Sequence, residues 1–194
     1  LESWMSASYM KTEEDLTNDI FYRYYNSNSE QIIQGFTLDQ SVEDSIRFTR
    51  GYMPRVTDQR ISVKIFFQDE MPKFKQFKVH INLVYASGQP FGVPGSAEGR
   101  NTERMPDYRR ADIGFTYKVV EGGKLYKRTG KVTMPSSHFL GDFKDFGIRV
   151  EVFNLLDIAN TINHLWVSDI NNQEYAVPNF LTPRLVNFRI TGKF

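Results

Sequence analysis

The residues most able to do chemistry are few and scattered. Three histidines, His80, His138 and His164, lie far apart, and no two have the spacing that sets a pair of metal ligands on one element. Cysteine is absent, which removes thiolate metal sites, disulfides and a thiol nucleophile together. Serine, histidine and aspartate all occur, but no nucleophile elbow surrounds any serine. The glycine-rich stretch 88–99 lacks the lysine and the following helix of a phosphate-binding loop. Acidic residues Glu13, Glu14, Asp15, Asp19 and Asp44 fall in a polar stretch where charges are ordinarily solvated. These patterns point away from catalysis and from any resident metal or cofactor. Capture is better represented than turnover: Tyr22, Tyr24, Tyr25, Tyr52, Phe91 and Trp166 sit in polar surroundings, and large aromatic bodies suit ligand contact. Packing the loops against one another is the commoner role of such residues.

The elements that must position these residues are strands. Apolar and polar residues alternate with period two in five stretches, the signature of a strand with two unlike faces. Ile61, Val63, Ile65 and Phe67 oppose Ser62, Lys64 and Gln68, with Phe66 breaking the polar side. The next stretch sets Phe77, Val79, Ile81, Leu83 and Tyr85 against Lys78, His80 and Asn82. Ala111, Ile113, Phe115, Tyr117 and Val119 oppose Arg110, Asp112, Gly114, Thr116 and Lys118. Ile148, Val150 and Val152 oppose Arg149 and Glu151. The last stretch sets Val186, Phe188, Ile190 and Phe194 against Asn187, Arg189, Thr191 and Lys193. A sixth, weaker strand is expected from Trp4 to Thr12.

The connections differ in length. Glu70 to Lys75 is a short turn, whereas 13–59, 87–108 and 157–183 are long and polar, with short helices expected within 13–25 and 42–50. Ordinary connections in a compact domain run to about 4 to 6 residues. Outer-membrane barrels have the habit of short periplasmic turns and long external loops, so with the chain ending on the periplasmic side 13–59, 87–108 and 157–183 are expected outside the cell. The segment 121–144 is longer than that habit predicts and has room for a hairpin or a helical turn.

The 194 residues are 40% hydrophobic and 14% aromatic, with 24 Lys+Arg against 23 Asp+Glu. Such balance gives no electrostatic footprint for nucleic acid, and no nucleic-acid partner is expected. No apolar run reaches the roughly 18 residues of a membrane-spanning helix, but a barrel strand needs only about 9 to 11 alternating ones. Both signs of charge sit on the polar strand faces, among them Arg110, Asp112, Arg149 and Glu151, which suits a wet interior rather than lipid. Aromatics near strand ends, Trp4, Tyr9, Tyr85, Tyr117, Phe146 and Phe194, suit a membrane–water interface. Leu1-Glu2-Ser3-Trp4 has no basic region before an apolar one, so a leader was removed or the chain starts mid-protein.

Several stretches carry more specific information. Tyr108-Arg109-Arg110-Ala111-Asp112-Ile113-Gly114-Phe115 and Glu151-Val152-Phe153-Asn154-Leu155-Leu156-Asp157 are joined by Gly51-Tyr52-Met53-Pro54-Arg55 with Asp58-Gln59-Arg60. Gln89-Pro90-Phe91-Gly92 with Pro94, and the ending Leu181-Thr182-Pro183-Arg184 to Phe194, complete the set. Together they resemble the C-terminal β-barrel portion of TonB-dependent outer-membrane receptors, of the type carrying a carboxypeptidase-regulatory-like domain before the plug. The resemblance spans essentially all of 1–194. It implies a plugged barrel of about 22 strands, of which this chain supplies about six, too few to close a wall alone. It also implies that Val186, Phe188, Ile190 and Phe194 form the signal read by the barrel-assembly machinery. Gly192 departs from that signal, since an apolar or aromatic residue is usual there.

The expectation is therefore all-β: an antiparallel transmembrane β-barrel segment in a Gram-negative outer membrane, the C-terminal part of a larger barrel. Its partners are membrane lipid, the rest of the barrel and plug, and TonB through an N-terminal part not in this sequence. The parent protein would bind and import a scarce nutrient (a chelated metal, vitamin, oligosaccharide or peptide) without catalysis. A passive barrel or adhesin, and a soluble β-sandwich binding module, are the rivals. The sandwich would bury the apolar strand faces against a second layer.

Overall fold

The computed structural model describes residues 2–16, 20–93, 98–127, 130–133, 138–171 and 173–194. Asp19 and Pro94 lie outside these residues. The fold is all-β and antiparallel, with no helix among the described residues.

The main sheet has eight strands, of which six are long: β1 (Glu2–Tyr9), β6 (Ile61–Met71), β7 (Phe74–Ala86), β10 (Tyr108–Glu121), β13 (Asp145–Phe153) and β16 (Leu185–Lys193). They are hydrogen-bonded in that order, each antiparallel to the next. These are the six stretches whose alternation marks them as strands, with ends moved by a few residues. Phe194 lies just past the end of β16 rather than inside it. The sheet is open, and its described strands form no closed barrel.

The long connections are not bare loops. Segment 13–59 holds β2 (Glu13–Glu14), β3 (Ile20–Tyr25), β4 (Asp44–Thr49) and β5 (Met53–Pro54). Segment 87–108 holds β8 (Pro90–Phe91) and β9 (Glu103–Arg104), and 157–183 holds β14 (Thr161–Ser168) and β15 (Glu174–Phe180). The helices expected within 13–25 and 42–50 are thus replaced by the paired strands β3 and β4. The reason is local: Phe21, Tyr22, Tyr24, Tyr25, Ile46 and Phe48 are aromatic or β-branched and lose less freedom in a strand than in a helix. Segment 121–144 contains the hairpin β11 (Lys124–Lys127) and β12 (Gly130–Thr133). The chain folds back from β10 through Gly122 and Gly123, whose φ values of 60° and 72° favour a residue without a Cβ, so that the start of β11 pairs with the end of β10 and completes the eight strands with β12.

Register aligns the two faces across the whole sheet. Ser3, Phe67, Ile81, Ile113, Val152 and Val186 form one cross-strand row, and Val79, Phe115, Val150 and Phe188 form the next. On the other face, Gln68, His80, Gly114, Glu151 and Asn187 are aligned. Trp4 belongs to this second face, against the expectation that it marks an interface. It stacks on Phe66, its register partner, with ring centroids 6.0 Å apart. The polarity break at Phe66 is therefore an aromatic pair set within the polar face.

Burial runs opposite to that of a water-soluble sheet. Phe67, Leu83 and Tyr117 on the apolar face are 37%, 41% and 40% exposed, whereas Asp112 and Glu151 on the polar face are each 8% exposed. No second layer among the described residues covers the apolar side.

The anomaly at Gly192 has a structural counterpart. A Cβ there would sit 2.6 Å from the Phe143 ring, which occupies the space instead. Phe143 stacks on Phe194 at 4.6 Å and meets Phe146 at 5.2 Å, making an aromatic cluster where β13 begins and β16 ends.

Candidate functional site

The polar face carries two clusters of contacts built on strand pairing. The His80 ring lies over Gly114 on the adjacent strand, where a Cβ would fall 2.1 Å from its Cε1 and Nε2 atoms. This lets His80 Nε2 reach Glu151 Oε1 at 3.2 Å, one strand further on. Glu151 also accepts from Asn187 Nδ2 at 3.0 Å and faces Arg149 at 3.5 Å. Arg149 in turn donates through Nε to Thr116 at 3.0 Å. One row further along the strands, Asp112 accepts from Arg110 Nε at 2.7 Å and from Asn82 at 3.3 Å. Arg110, Asp112, Arg149 and Glu151 thus share one face, in two neighbouring sets of contacts. Each buried carboxylate has charged or amide partners, which such burial requires.

The distinctive sequence stretches meet physically. Asp112 Oδ1 accepts the amide of Asn154 at 2.8 Å, where the chain leaves β13 with φ 52°. Asn154 closes the following turn by receiving Ile158 N and donating to Ile158 O. Asn160, 4% exposed, then exchanges two hydrogen bonds with the Arg109 backbone and so stands in for a strand beyond the end of β13. Asp157 accepts from Arg184 N at 2.8 Å, tying the same turn to the start of β16.

A second junction gathers the long segments at this end of the sheet. The Asp58 side chain is fully buried and accepts from Thr12 N at 2.7 Å, Arg60 Nε at 2.8 Å and Arg104. Arg104 also donates to the carbonyls of Asp58 and Gly88, and Asn101 to that of Pro54. Burial alone would push the Asp58 carboxyl up, but bonds from Arg60, Thr12 and Arg104 outweigh it and hold it at about 2. Sequence reasoning placed Asp58 and Arg60 in a motif without seeing this role, and missed Arg104 and Asn101. Their partners are 46 or 47 residues away, beyond the reach of any periodicity.

The aromatic candidates do not form one site. Tyr22 and Tyr24 lie on one side of β3 with rings 6.5 Å apart, about half exposed, and line a groove of about 760 Å³ with Gln31, Gln34 and Glu98. Tyr25 projects to the opposite side of the strand. Phe91 stacks on His164 at 4.3 Å, and Trp166 is two residues along on the same side of β14. Tyr52 is 76% exposed and stands apart from the groove. The three histidines are likewise separate: His80 is on the polar face, His164 is against Phe91, and His138 stacks on Phe139. Among the described residues no three potential ligands come together to hold a metal ion. Val186, Phe188 and Ile190 project from β16 at 64%, 61% and 58% exposure, and Phe194 follows.

No family model, curated protein or solved structure matches the chain.

Proposed function

We propose that this chain is the C-terminal run of wall strands of a TonB-dependent receptor in a Gram-negative outer membrane. In this reading the intact protein binds a scarce nutrient outside the cell and imports it without catalysis. The rest of the barrel continues from the outer edges of β1 and β16, and a plug fills the interior.

The observation that carries the reading is the inverted burial of the main sheet. A contiguous apolar face left open to water would be unusual for a monomeric soluble domain, where patches stay within a few hundred Å². Hydrocarbon removes that penalty and also demands that charges turn to the other side. The polar face bearing His80, Asp112, Arg149 and Glu151 is then the inner wall facing water, plug and loops. The sequence resemblance supplies the finer identification, because a wall facing lipid is common to passive barrels and energised receptors.

The test is extraction and gel behaviour of the intact protein carrying these strands. It is expected in the outer-membrane fraction, released only by detergent, with a band that shifts on heating. Recovery as a monodisperse species in detergent-free buffer would reject the membrane reading. Uptake that persists without TonB, or the lack of an encoded plug domain upstream of Leu1, would favour a passive barrel or adhesin.

A further inference from the structure

Strand β3 is paired along its whole length on one edge, by β4. On its other edge it is paired only near its C-terminal end, where Tyr25 bridges Gln31 and Ile32 N donates to Tyr24 O. Backbone groups of alternate residues point to the same edge of a strand. Because Tyr24 O and Asn26 N point to the Gln31 side, the N–H and C=O of Tyr22 and the N–H of Tyr24 do as well. None of these three groups has a backbone partner among the described residues. The groove of about 760 Å³ runs along this edge, lined by consecutive residues Ile20 to Tyr24 on one wall and by Gln31 to Gln34 and Glu98 on the other. An open edge of this kind is a template for another strand.

We infer that the open edge of β3 binds an extended peptide segment, which adds a strand beside Ile20–Tyr24 through the backbone groups of Tyr22 and Tyr24. The open stretch spans about 14 Å, enough for four to six residues of an extended ligand. The groove's volume falls in the range of small-ligand sites. Its two sides differ, as the two faces of a strand ligand do. Alternate ligand side chains would rest beside the half-exposed Tyr22 and Tyr24 rings. The intervening ones would face the Arg23 side, where the guanidinium is fixed by Glu98 and by the Phe48 ring 4.0 Å from it. Gln31 donates to the same Glu98 at 2.7 Å, so the charges on this side are already paired and organised, beside the apolar Ile32 and Ile33. A strongly charged ligand gains little there, whereas a peptide gains main-chain hydrogen bonds from the edge and selectivity from the two walls.

This inference rests on the reading of segment 13–59 as an external part of a nutrient receptor, and peptide is the substrate class it names. The probe is a capped hexapeptide of alternating threonine and valine, titrated into the intact detergent-purified protein. Its controls are the same peptide N-methylated throughout and maltohexaose, a neutral oligosaccharide. The unmodified hexapeptide is expected to bind and the N-methylated one to lose binding. Tyr22→Pro, which deletes one edge N–H outside the β3–β4 ladder, is expected to weaken binding about tenfold, the worth of one net hydrogen bond. Tyr22→Ala keeps that N–H and should weaken it less. Equal binding of the N-methylated peptide, or binding of maltohexaose alone, overturns the inference. If Tyr22→Pro fails to fold, the comparison of the two peptides on unaltered protein still decides. A detergent-extracted, heat-shifting barrel that binds no hexapeptide sinks only this inference, whereas a soluble protein that binds it sinks only the membrane reading.

Discussion

His80 Nε2 lies 3.2 Å from Glu151 Oε1 although a complete strand, β10, separates the two residues. The intervening position is Gly114, register partner of both. Adjacent strands are about 4.8 Å apart, so a side chain reaches two strands over only by lying flat across the middle one. The missing Cβ at Gly114 is what permits it, and Asn187 completes the row on the far side of Glu151.

Replacing Gly114→Ala should therefore displace the His80 ring and cost about 1–3 kcal/mol, the usual range for overpacking. Removing the ring with His80→Ala in the same protein should return part of the loss, so the two changes are non-additive. Equilibrium unfolding of the four proteins in detergent measures the coupling. Strict additivity would mean that the histidine does not depend on the glycine.

The Asp58 junction predicts an acid sensitivity with a defined window. The folded carboxyl titrates at about 2 against 3.8 in the unfolded chain. A depressed folded value adds stability above the unfolded one, and that stability is lost as pH falls from about 4 to about 2. The difference is worth roughly 2 kcal/mol. Unfolding measured across this range should show the unaltered protein losing that much relative to Asp58→Asn, which cannot titrate. Parallel pH curves for the two would exclude Asp58 as the source. At neutral pH, Asp58→Ala removes the acceptor shared by Arg60, Arg104 and the Thr12 amide and should cost about 1–3 kcal/mol.

Position in the bilayer can be read by charge insertion on the apolar face. Ile113→Arg and Val150→Arg should each cost about 2 to 4 kcal/mol if these residues meet lipid near the midplane. Refolding into lipid vesicles against a denaturant series gives the values. A loss below about 1 kcal/mol at both sites would mean the face has been assigned to the wrong surroundings, since only the interfaces tolerate arginine so well.

The Phe143 ring takes the space that Gly192 leaves on the last strand. Phe143→Ala should lower the folded yield by opening the cluster with Phe146 and Phe194. Adding Gly192→Phe should restore it, because an aromatic ring then returns to the same place from the strand itself. Gly192→Phe with Phe143 retained should fold worse than either, as two rings compete for one site. The heat-shifted fraction on a gel reads all three, and a Phe143→Ala protein with full yield would show that the ring is dispensable.

By itself, the sequence determined the six long strands and their faces. Alternation of period two is a local property, and a buried or lipid-facing side forces it whatever the neighbours are. The strands inside the long connections escaped this signal because Ile20-Phe21-Tyr22-Arg23-Tyr24-Tyr25 has no clean alternation; its open edge became visible only with its pairing partners in place. Tertiary structure decided which charges meet: His80 with Glu151 at a separation of 71 residues, Asp58 with Arg104 at 46, and Asp112 with the Asn154 amide at 42. It also decided that Phe143 fills the place left at Gly192 and that Trp4 turns to the polar side. A side chain's partner depends on register between distant strands, and register is set by every pairing in the sheet at once rather than by any one segment.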